Sequence, residues 1–528
     1  MAHVAVIGSG PSAFAAALAL LRRGATVTVL DAGATLDEHR AQLVAGLRRE
    51  QPEQWDKSVV EQLIDNPTVG TQSVPRKLVF GSDYIYAKTH PDGPIELEGG
   101  VDAYPTHARG GYTAAWGGAM LPTDDCDMAD WPIRSADLEP SYRRVLAELP
   151  LSAVEDRLAR RFPLFKHSLD PLALPAESSA LLSDLDRAEN KGPDPAFLFG
   201  QARLAVNGPA HARSCRYCGL CLHSCPYGVI FGTAEPFDTL AREGRIEYLS
   251  GAIVRCLTEQ SNQVELHFER NGDIASRQFD QVFVGAGAVG STRLMLESMN
   301  LHGERCVLKQ SHKFVLPFLR FRRHPISWPR ANTLASLFLE LKLPSLSDHW
   351  SHVQVSPVND LILRRFGIEP SSFAEGEKPW LTPLLERLMI AWCGVHSDHS
   401  SRIGVTLAAT PRDGSATLRL DHEPAEEEQR YSRKLAYALA RKGWQFRSAF
   451  LAPLRIDSKP GAGNHVGGSF PMSKKPTTSF QTDLLGRPNG LSRVHLIDSA
   501  TFPSIPATTL LLPIMANADR IATQATLS

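Results

Sequence analysis

Within residues 1–33 the hydrophobic pattern changes period twice. HVAVIG is an apolar run and predicts a strand, and PSAFAAALALLRRG predicts a helix stopped by Gly24. TVTVLDAG returns to a β-branched run and predicts a second strand. Residues 34–95 are polar and mixed: LDEHRAQLVAGLRREQPEQW reads as a helical excursion and the rest as loop. Residues 99–122 are rich in glycine and aromatics, and 133–190 are mostly helical in pattern. RIEYLSG, AIVRCLTE, QVELHFER and QVFVGAGAVG are each β-rich with alternating apolar places. Residues 310–420 read as a separate β-rich layer, in which SRIGVTLAAT and SATLRLDH form a hairpin about PRDG. PAEEEQRYSRKLAYALARKG is a helix with Pro424 near its first position, glutamates in its first turn and Lys442 at its end. That charge order suits the helix dipole, so the glutamates are a solvated helix start rather than a site. LSRVHLIDSATFP predicts a strand and turn, and TTLLLPIMANADRIATQA a closing helix.

Composition narrows the class. A chain of 528 residues, 43% hydrophobic and 21% charged, has an ordinary globular balance and room for about two to four domains. Lys+Arg number 56 and Asp+Glu 57, so bulk charge attracts neither nucleic acid nor an anionic membrane. The longest apolar runs, FAAALALL and TTLLLPIMA, are too short to span a bilayer. A strand pattern begins within a few residues of Met1, with no basic and apolar leader before it, and the chain reads as cytoplasmic.

The first candidate chemistry is a nucleotide signature. VAVIGSGPSAFAAALALLRRGATVTVLDAG carries G-x-G-x-x-A at Gly8, Gly10 and Ala13, between a predicted strand and helix. Asp31 follows at the end of the next strand, as a dinucleotide fingerprint requires. Gly8 permits the tight turn, Gly10 admits a pyrophosphate to the backbone, and Ala13 lets helix and strand pack closely. The helix N-terminus offers amide donors, and Asp31 would accept from ribose hydroxyls. The fingerprint alone does not choose between FAD and NAD.

Five further segments, in order, resemble the glucose–methanol–choline oxidoreductases. RGGYTAAWGGAMLP (109–122) is similar to that family's glycine–tryptophan loop beside the flavin, and DWPIRSADLEPSYRR to the segment after it. QVFVGAGAVGSTRLMLES resembles the segment that returns to the FAD sheet, NHVGGSFPM the active-site stretch, and HLIDSATFPSIPATTLLLPIMANADRIA the C-terminal segment. The resemblance covers most of the chain except 34–95 and parts of 310–400. It implies an α/β fold: a Rossmann-type FAD-binding domain of discontinuous segments, with an α+β substrate domain on an antiparallel sheet. The FAD-binding domain would comprise 1–33, 96–132, 200–310 and 461–528. The substrate domain would comprise 133–199 and 311–460, with 34–95 as an excursion and 214–228 as a cysteine-rich loop.

The resemblance also implies oxidation of a CH–OH group, with hydride passing to the flavin and a base taking the hydroxyl proton. His465, beside Asn464 and ahead of Val466-Gly467-Gly468, is the expected base; a base of near-neutral pKa suits that task. Where the family places a second His or Asn, this chain has Thr509, which can hydrogen-bond but cannot act as a base near neutral pH. His396 and His399 are alternatives, although their plain reading is polar residues before the hairpin. By the same resemblance Gly111, Trp116, Gly117 and Gly118 would lie by the isoalloxazine. Ile253 and Val254 would meet the adenine edge, Gly287 would belong to the second flavin segment, and Asp498 would sit near the ribityl or pyrophosphate. His107 reads as an ordinary loop histidine rather than a covalent tether.

One motif stands apart. SCRYCGLCLHSCPYG places Cys215, Cys218, Cys221 and Cys225 in C-x2-C-x2-C-x3-C-P, the spacing of an iron–sulfur ligand run. A [4Fe–4S] or three-iron cluster, metal-free thiols or a disulfide, and zinc with help from His211 or His223 all remain open. The resemblance itself accounts for a cysteine loop at this place in the chain. The other four cysteines, Cys126, Cys256, Cys306 and Cys393, read as small buried hydrophobes. A cluster near the flavin would pass electrons singly to a protein or quinone acceptor; without it, oxygen, a quinone or a diffusible carrier would serve. The leading expectation is an FAD-dependent dehydrogenase or oxidase of a small alcohol, sugar or polyol. The alternatives are a flavoprotein of this fold with other chemistry, motivated by Thr509, and a non-catalytic electron-transfer or assembly subunit.

Overall fold

The computed structural model describes residues 1–66, 74–86, 91–365, 367–369, 379–408 and 416–527. At its centre is a parallel sheet ordered Val494–Leu496, Gln281–Val284, His3–Ile7, Thr26–Asp31, Glu247–Ser250. Its inner strands are apolar along almost their whole length because both faces are covered. The helix Pro11–Arg22 packs on one side against the closing helix Leu511–Gln524 through Ala13, Ala16, Leu20, Met515 and Ala518. Pro11 starts that helix without losing a needed donor, and Gly24 follows its end at φ 77°. On the other side lies a three-stranded meander, Ala252–Glu259, Val264–Arg270 and Asp273–Phe279. Its third strand is mostly exposed, so no apolar alternation announces it.

The second layer is a seven-stranded antiparallel sheet in the order Ser448–Phe450, Lys313–Arg320, Leu388–Gly394, Ser347–Ser356, Leu337–Leu343, Phe197–Gln201, with Ile456–Asp457 pairing on Lys313–Arg320. One face, including Phe314, Leu316, Phe318, Val353 and Val355, packs under the helices Ala176–Lys191 and Glu426–Gly443. Pro424 precedes the latter helix by two positions, outside its first turn. The alternate residues of the same strands therefore point away from those helices, toward the parallel sheet.

A smaller five-stranded sheet joins Val466–Gly467, Arg305–Gln310, Arg402–Ala408, Thr417–Glu423 and Ile95–Leu97. The expected hairpin is present as the antiparallel pair Arg402–Ala408 and Thr417–Glu423, while its PRDG turn lies outside the described residues. This sheet takes strands from both sides of residue 310, and Phe197–Gln201 forms one edge of the large sheet. No described helix is long and apolar enough to cross a membrane.

Candidate functional site

A cavity of about 460 Å³ runs between the two layers, within the range of small-molecule and cofactor sites. It begins at the fingerprint loop. Gly8 has φ 95°, and a Cβ there would stand 2.6 Å from the carbonyl oxygen of Gly285, so only glycine fits. Gly10 has nothing within 4 Å of its absent side chain and opens onto the cavity at the N-terminus of Pro11–Arg22. Gly287, also open, caps the helix Ala288–Ser298 from the neighbouring strand. Two helix N-termini thus meet one cavity end, an arrangement suited to phosphate. Ala13 is buried in the helix–sheet contact and stays behind the cavity wall.

Two carboxylates flank this end. Asp31 accepts a hydrogen bond from the Tyr248 hydroxyl at 2.6 Å, and burial raises its pKa. Asp498 accepts from Ser291 Oγ at 2.5 Å and from the Ala500 amide at 2.9 Å, and burial lifts its pKa to about 6. The Gly110 amide donates to Ser9 Oγ at 2.8 Å, and a Cβ on Gly111 would approach Gly10 Cα at 3.1 Å. The tryptophan loop is thereby held against the fingerprint loop. Trp116 and Gly117 line the cavity, and the Trp116 indole is fixed by Phe231 O at 2.6 Å. Gly118 turns instead toward Val206 and Leu334. Val254, expected at an adenine edge, is absent from the cavity lining; it packs with the meander core, because a bulge between Val254 and Cys256 re-aims the strand.

At the far end His465 and Asn464 enter on the 461–468 loop. The His465 carbonyl accepts from the Ser311 amide at 3.0 Å, which anchors the loop beside the large sheet. Asn464 takes φ 54°, and its side chain bonds the Tyr86 hydroxyl. His465 Nδ1 is buried without a hydrogen-bond partner, leaving Nε2 as the nitrogen open to the cavity. Burial, then Lys313, then His352 push the His465 pKa well below the usual value, so the ring is a neutral base. Thr509 also lines the cavity, but its hydroxyl is committed: it accepts from the Leu121 amide at 2.6 Å and donates to Leu121 O at 3.3 Å. It fastens the C-terminal segment to the tryptophan loop and has no hydroxyl proton left to donate.

The large sheet contributes groups that no motif singled out: Lys313, Glu340, His352 and Gln354. His352 Nδ1 lies 2.6 Å from Glu340 Oε1, and its Nε2 lies 3.1 Å from Gln354 Nε2. Burial raises the Glu340 pKa well above the carboxylate range and lowers that of His352 well below the imidazole range. Burial thus disfavours charge on both partners of this hydrogen bond. Burial also brings the Lys313 ammonium down to about 7.

The alternatives lie elsewhere. His396 and His399 are outside the cavity lining; His396 stacks on His349 with ring centroids 3.6 Å apart and planes at 8°. His349, His396 and Asp398 are the one trio of potential metal ligands gathered within 4.8 Å among the described residues. Parallel stacked rings cannot aim their in-plane lone pairs at one ion. Burial opposes charge on His349, yet the Asp127 carboxylate at 3.6 Å and the Asp398 carboxylate, hydrogen-bonded at 3.2 Å, lift its pKa to about 9, so the cluster is an ion-paired stack. His107 pairs with Asp92 at 3.3 Å.

The cysteine loop stands behind the tryptophan loop. Ser224 Oγ donates to Ala114 O at 3.1 Å, and Lys77 Nζ donates to Trp116 O at 2.6 Å within electrostatic reach of Cys221 and Cys225. All four thiols are free and share an apolar shell with Leu204, Val206, Tyr227 and Val229. Burial raises the Cys215 pKa to about 12, and that of Cys218 and Cys221 in the same direction. The Tyr217 amide and Asn332 Nδ2 approach Cys215 Sγ at 3.5 and 3.7 Å. No three of these sulfurs gather within 4.8 Å, so the loop lacks the compactness of a tetrahedral zinc site. His223 is tied to Asp360 at 2.5 Å, and exposed His211 to Arg213. Cys126 packs against the same apolar cluster, whereas Cys306 and Cys393 are buried in other cores.

No family model and no curated protein matches the sequence. A solved structure, pyridoxine 4-oxidase from Mesorbium loti, is similar over 99% of both chains with a TM-score of 0.60 and 15% identity. Such a likeness over the full length of both chains establishes the architecture, and the protein has the fold of the glucose–methanol–choline oxidoreductases.

Proposed function

We propose that the protein is an FAD-dependent oxidoreductase acting on a CH–OH group of a small alcohol, sugar or polyol, with His465 as the base. The observation that carries this reading is the continuity of one cavity, from two helix N-termini at Gly10 and Gly287 to a neutral imidazole at His465. The residues present suit FAD: open glycines for the pyrophosphate, Asp31 for a ribose, and Asp498 deeper along the wall. Bound FAD would supply a two-electron hydride acceptor. His465 Nε2 takes the hydroxyl proton, and the apolar wall excludes water from the reacting carbon. The similar solved structure bears the name of an oxidase, pyridoxine 4-oxidase, in keeping with this class.

Cys215, Cys218, Cys221 and Cys225 are the residues that would hold an iron–sulfur cluster. Their apolar shell, the donors on Cys215 and the buried Lys77 cation suit such a group. Such a centre would supply one-electron transfer toward a protein or quinone acceptor. Iron and acid-labile sulfide on anaerobically purified protein test this, with Cys218→Ser as control. Sub-stoichiometric iron in both proteins removes the cluster and leaves the acceptor to meet the flavin directly.

For the main reading, purified protein should carry yellow flavin that a panel of alcohols, sugars and polyols bleaches without oxygen. Flavin that no member of the panel reduces would favour other chemistry on the same fold or a non-catalytic subunit. Absence of flavin would overturn the oxidoreductase reading altogether.

A further inference from the structure

The large sheet lays one polar row across the cavity floor. Lys313 pairs with Gly394, Gly394 with His352, and His352 with Glu340, each in direct register on adjacent strands. Two glycines make room for the lysine. A Cβ on Gly394 would stand 2.6 Å from Lys313 Nζ, and one on Gly463 would stand 2.9 Å from its Cγ. Through this gap Nζ donates to Ala507 O at 2.9 Å, in the same segment as Thr509. The titratable groups that face it are Cys393 on the adjacent strand, His352 on the strand beyond it, Glu340 one strand further, and His465 on the loop. Burial disfavours charge on Glu340, keeps Cys393 a thiol and keeps both imidazoles neutral. Among the described residues no carboxylate forms an ion pair with the ammonium, whose hydrogen-bond partner is a main-chain carbonyl. Buried cations ordinarily pair with an acid, so this one is kept for an anion that is not part of the protein.

We propose that Lys313 forms an oxyanion site: its ammonium binds the oxygen of the reacting alcohol as His465 removes the hydroxyl proton. The O–H bond breaks, the proton goes to His465 Nε2, and the oxygen keeps the electron pair. Lys313 transfers nothing; it supplies a fixed positive charge where negative charge develops. The role that Thr509 cannot fill is thereby met from the sheet, a different part of the chain. The inference rests on the alcohol-oxidising reading of the same cavity.

Calorimetry on the purified protein tests it with benzoate as an oxyanion probe and benzyl alcohol as its neutral counterpart. Benzoate should bind wild type, with its Kd raised at least about tenfold by Lys313→Met, while benzyl alcohol binding is unchanged. Wild-type affinity for benzoate should weaken as pH rises through about 7, and Lys313→Arg, whose guanidinium stays charged, should abolish that weakening. With the best alcohol of the panel, Lys313→Met should lower the saturating rate of flavin reduction about 100-fold or more, with little change in half-saturation. Equal benzoate affinity in wild type and Lys313→Met, or no binding by either, overturns the proposal. So does a rise in half-saturation alone, which would make Lys313 a handle for a remote substrate acid. Should Lys313→Met fail to fold, the Arg variant still decides: an alkaline loss like that of wild type refutes the role. Flavin content of the same samples tests the oxidoreductase reading separately, because benzoate binding is measured without it.

Discussion

The two ends of the cavity are built by opposite means. The nucleotide end comes from consecutive residues: Gly8, Gly10 and the first turn of one helix, with Asp31 one strand away. Its partners repeat the device on the next strand, with Gly287 and the helix after it. The substrate end comes from side chains scattered over more than 150 positions, from Lys313 to His465, which meet only because strands align them. Backbone amides and absent side chains shape one end. Titratable side chains tuned by burial shape the other. A local motif tolerates little change within it, whereas a non-local cluster depends on the register of a whole sheet.

The sharpest break should come at the nucleotide end. Gly8→Ala places a Cβ against a carbonyl and forces a left-handed backbone, a cost of about 1–2 kcal/mol before any clash. Flavin content, read by absorbance after purification, should fall to about a tenth or less of wild type. His465→Ala should do the reverse: flavin content stays intact, while anaerobic reduction by alcohol slows about 10²- to 10⁴-fold in stopped flow. An unchanged rate would remove His465 from the mechanism.

The ends should also differ in how pH reaches them. Asp498 has a folded pKa of about 6 against 3.8 for a free aspartate side chain, so between those values the folded state holds the extra proton. Its contribution therefore favours folding below about pH 4 and is lost as pH rises to 6, a penalty of roughly 3 kcal/mol in the flavin-free protein. Asp498→Asn should flatten this segment of the stability profile, measured as urea midpoints at acid and neutral pH. The smallest effect belongs to Thr509→Val. It breaks the two bonds to Leu121 and should cost about 1–2 kcal/mol in denaturant stability. Reduction by alcohol should slow less than about threefold, since the hydroxyl serves the backbone rather than the substrate. A loss as large as that of His465→Ala would return Thr509 to the reaction.

Legibility followed the same division. The fingerprint, the tryptophan loop and the 461–468 stretch could be located because each is a short segment with a required backbone shape. Trp116, Gly117, Gly287, Asp498 and His465 all reach the cavity that the motifs implied. Gly118 and Val254 did not: one faces the core behind the loop, and the other is turned aside by a bulge. Thr509 was in the right place but in a different role, because its nearest partners are the amide and carbonyl of Leu121, distant in sequence. Lys313, His352 and Gln354 gave no signal. In KFVLPFLR Lys313 is the polar start of an apolar run, and in SHVQVS the polar residues alternate with apolar ones, both patterns of an ordinary strand.

The sequence by itself determined most of the elements and the fingerprint loop, since these depend on local backbone demands and on spacing along the chain, and it singled out His465 through a resemblance. The tertiary structure alone decided which polar face meets a cavity instead of water. It also decided that Gly394 and Gly463 clear a path for Lys313, and that burial works against charge on Glu340 and His352. The reason is physical: alternation fixes two faces of a strand, but the medium each face meets is set by the layer packed against it.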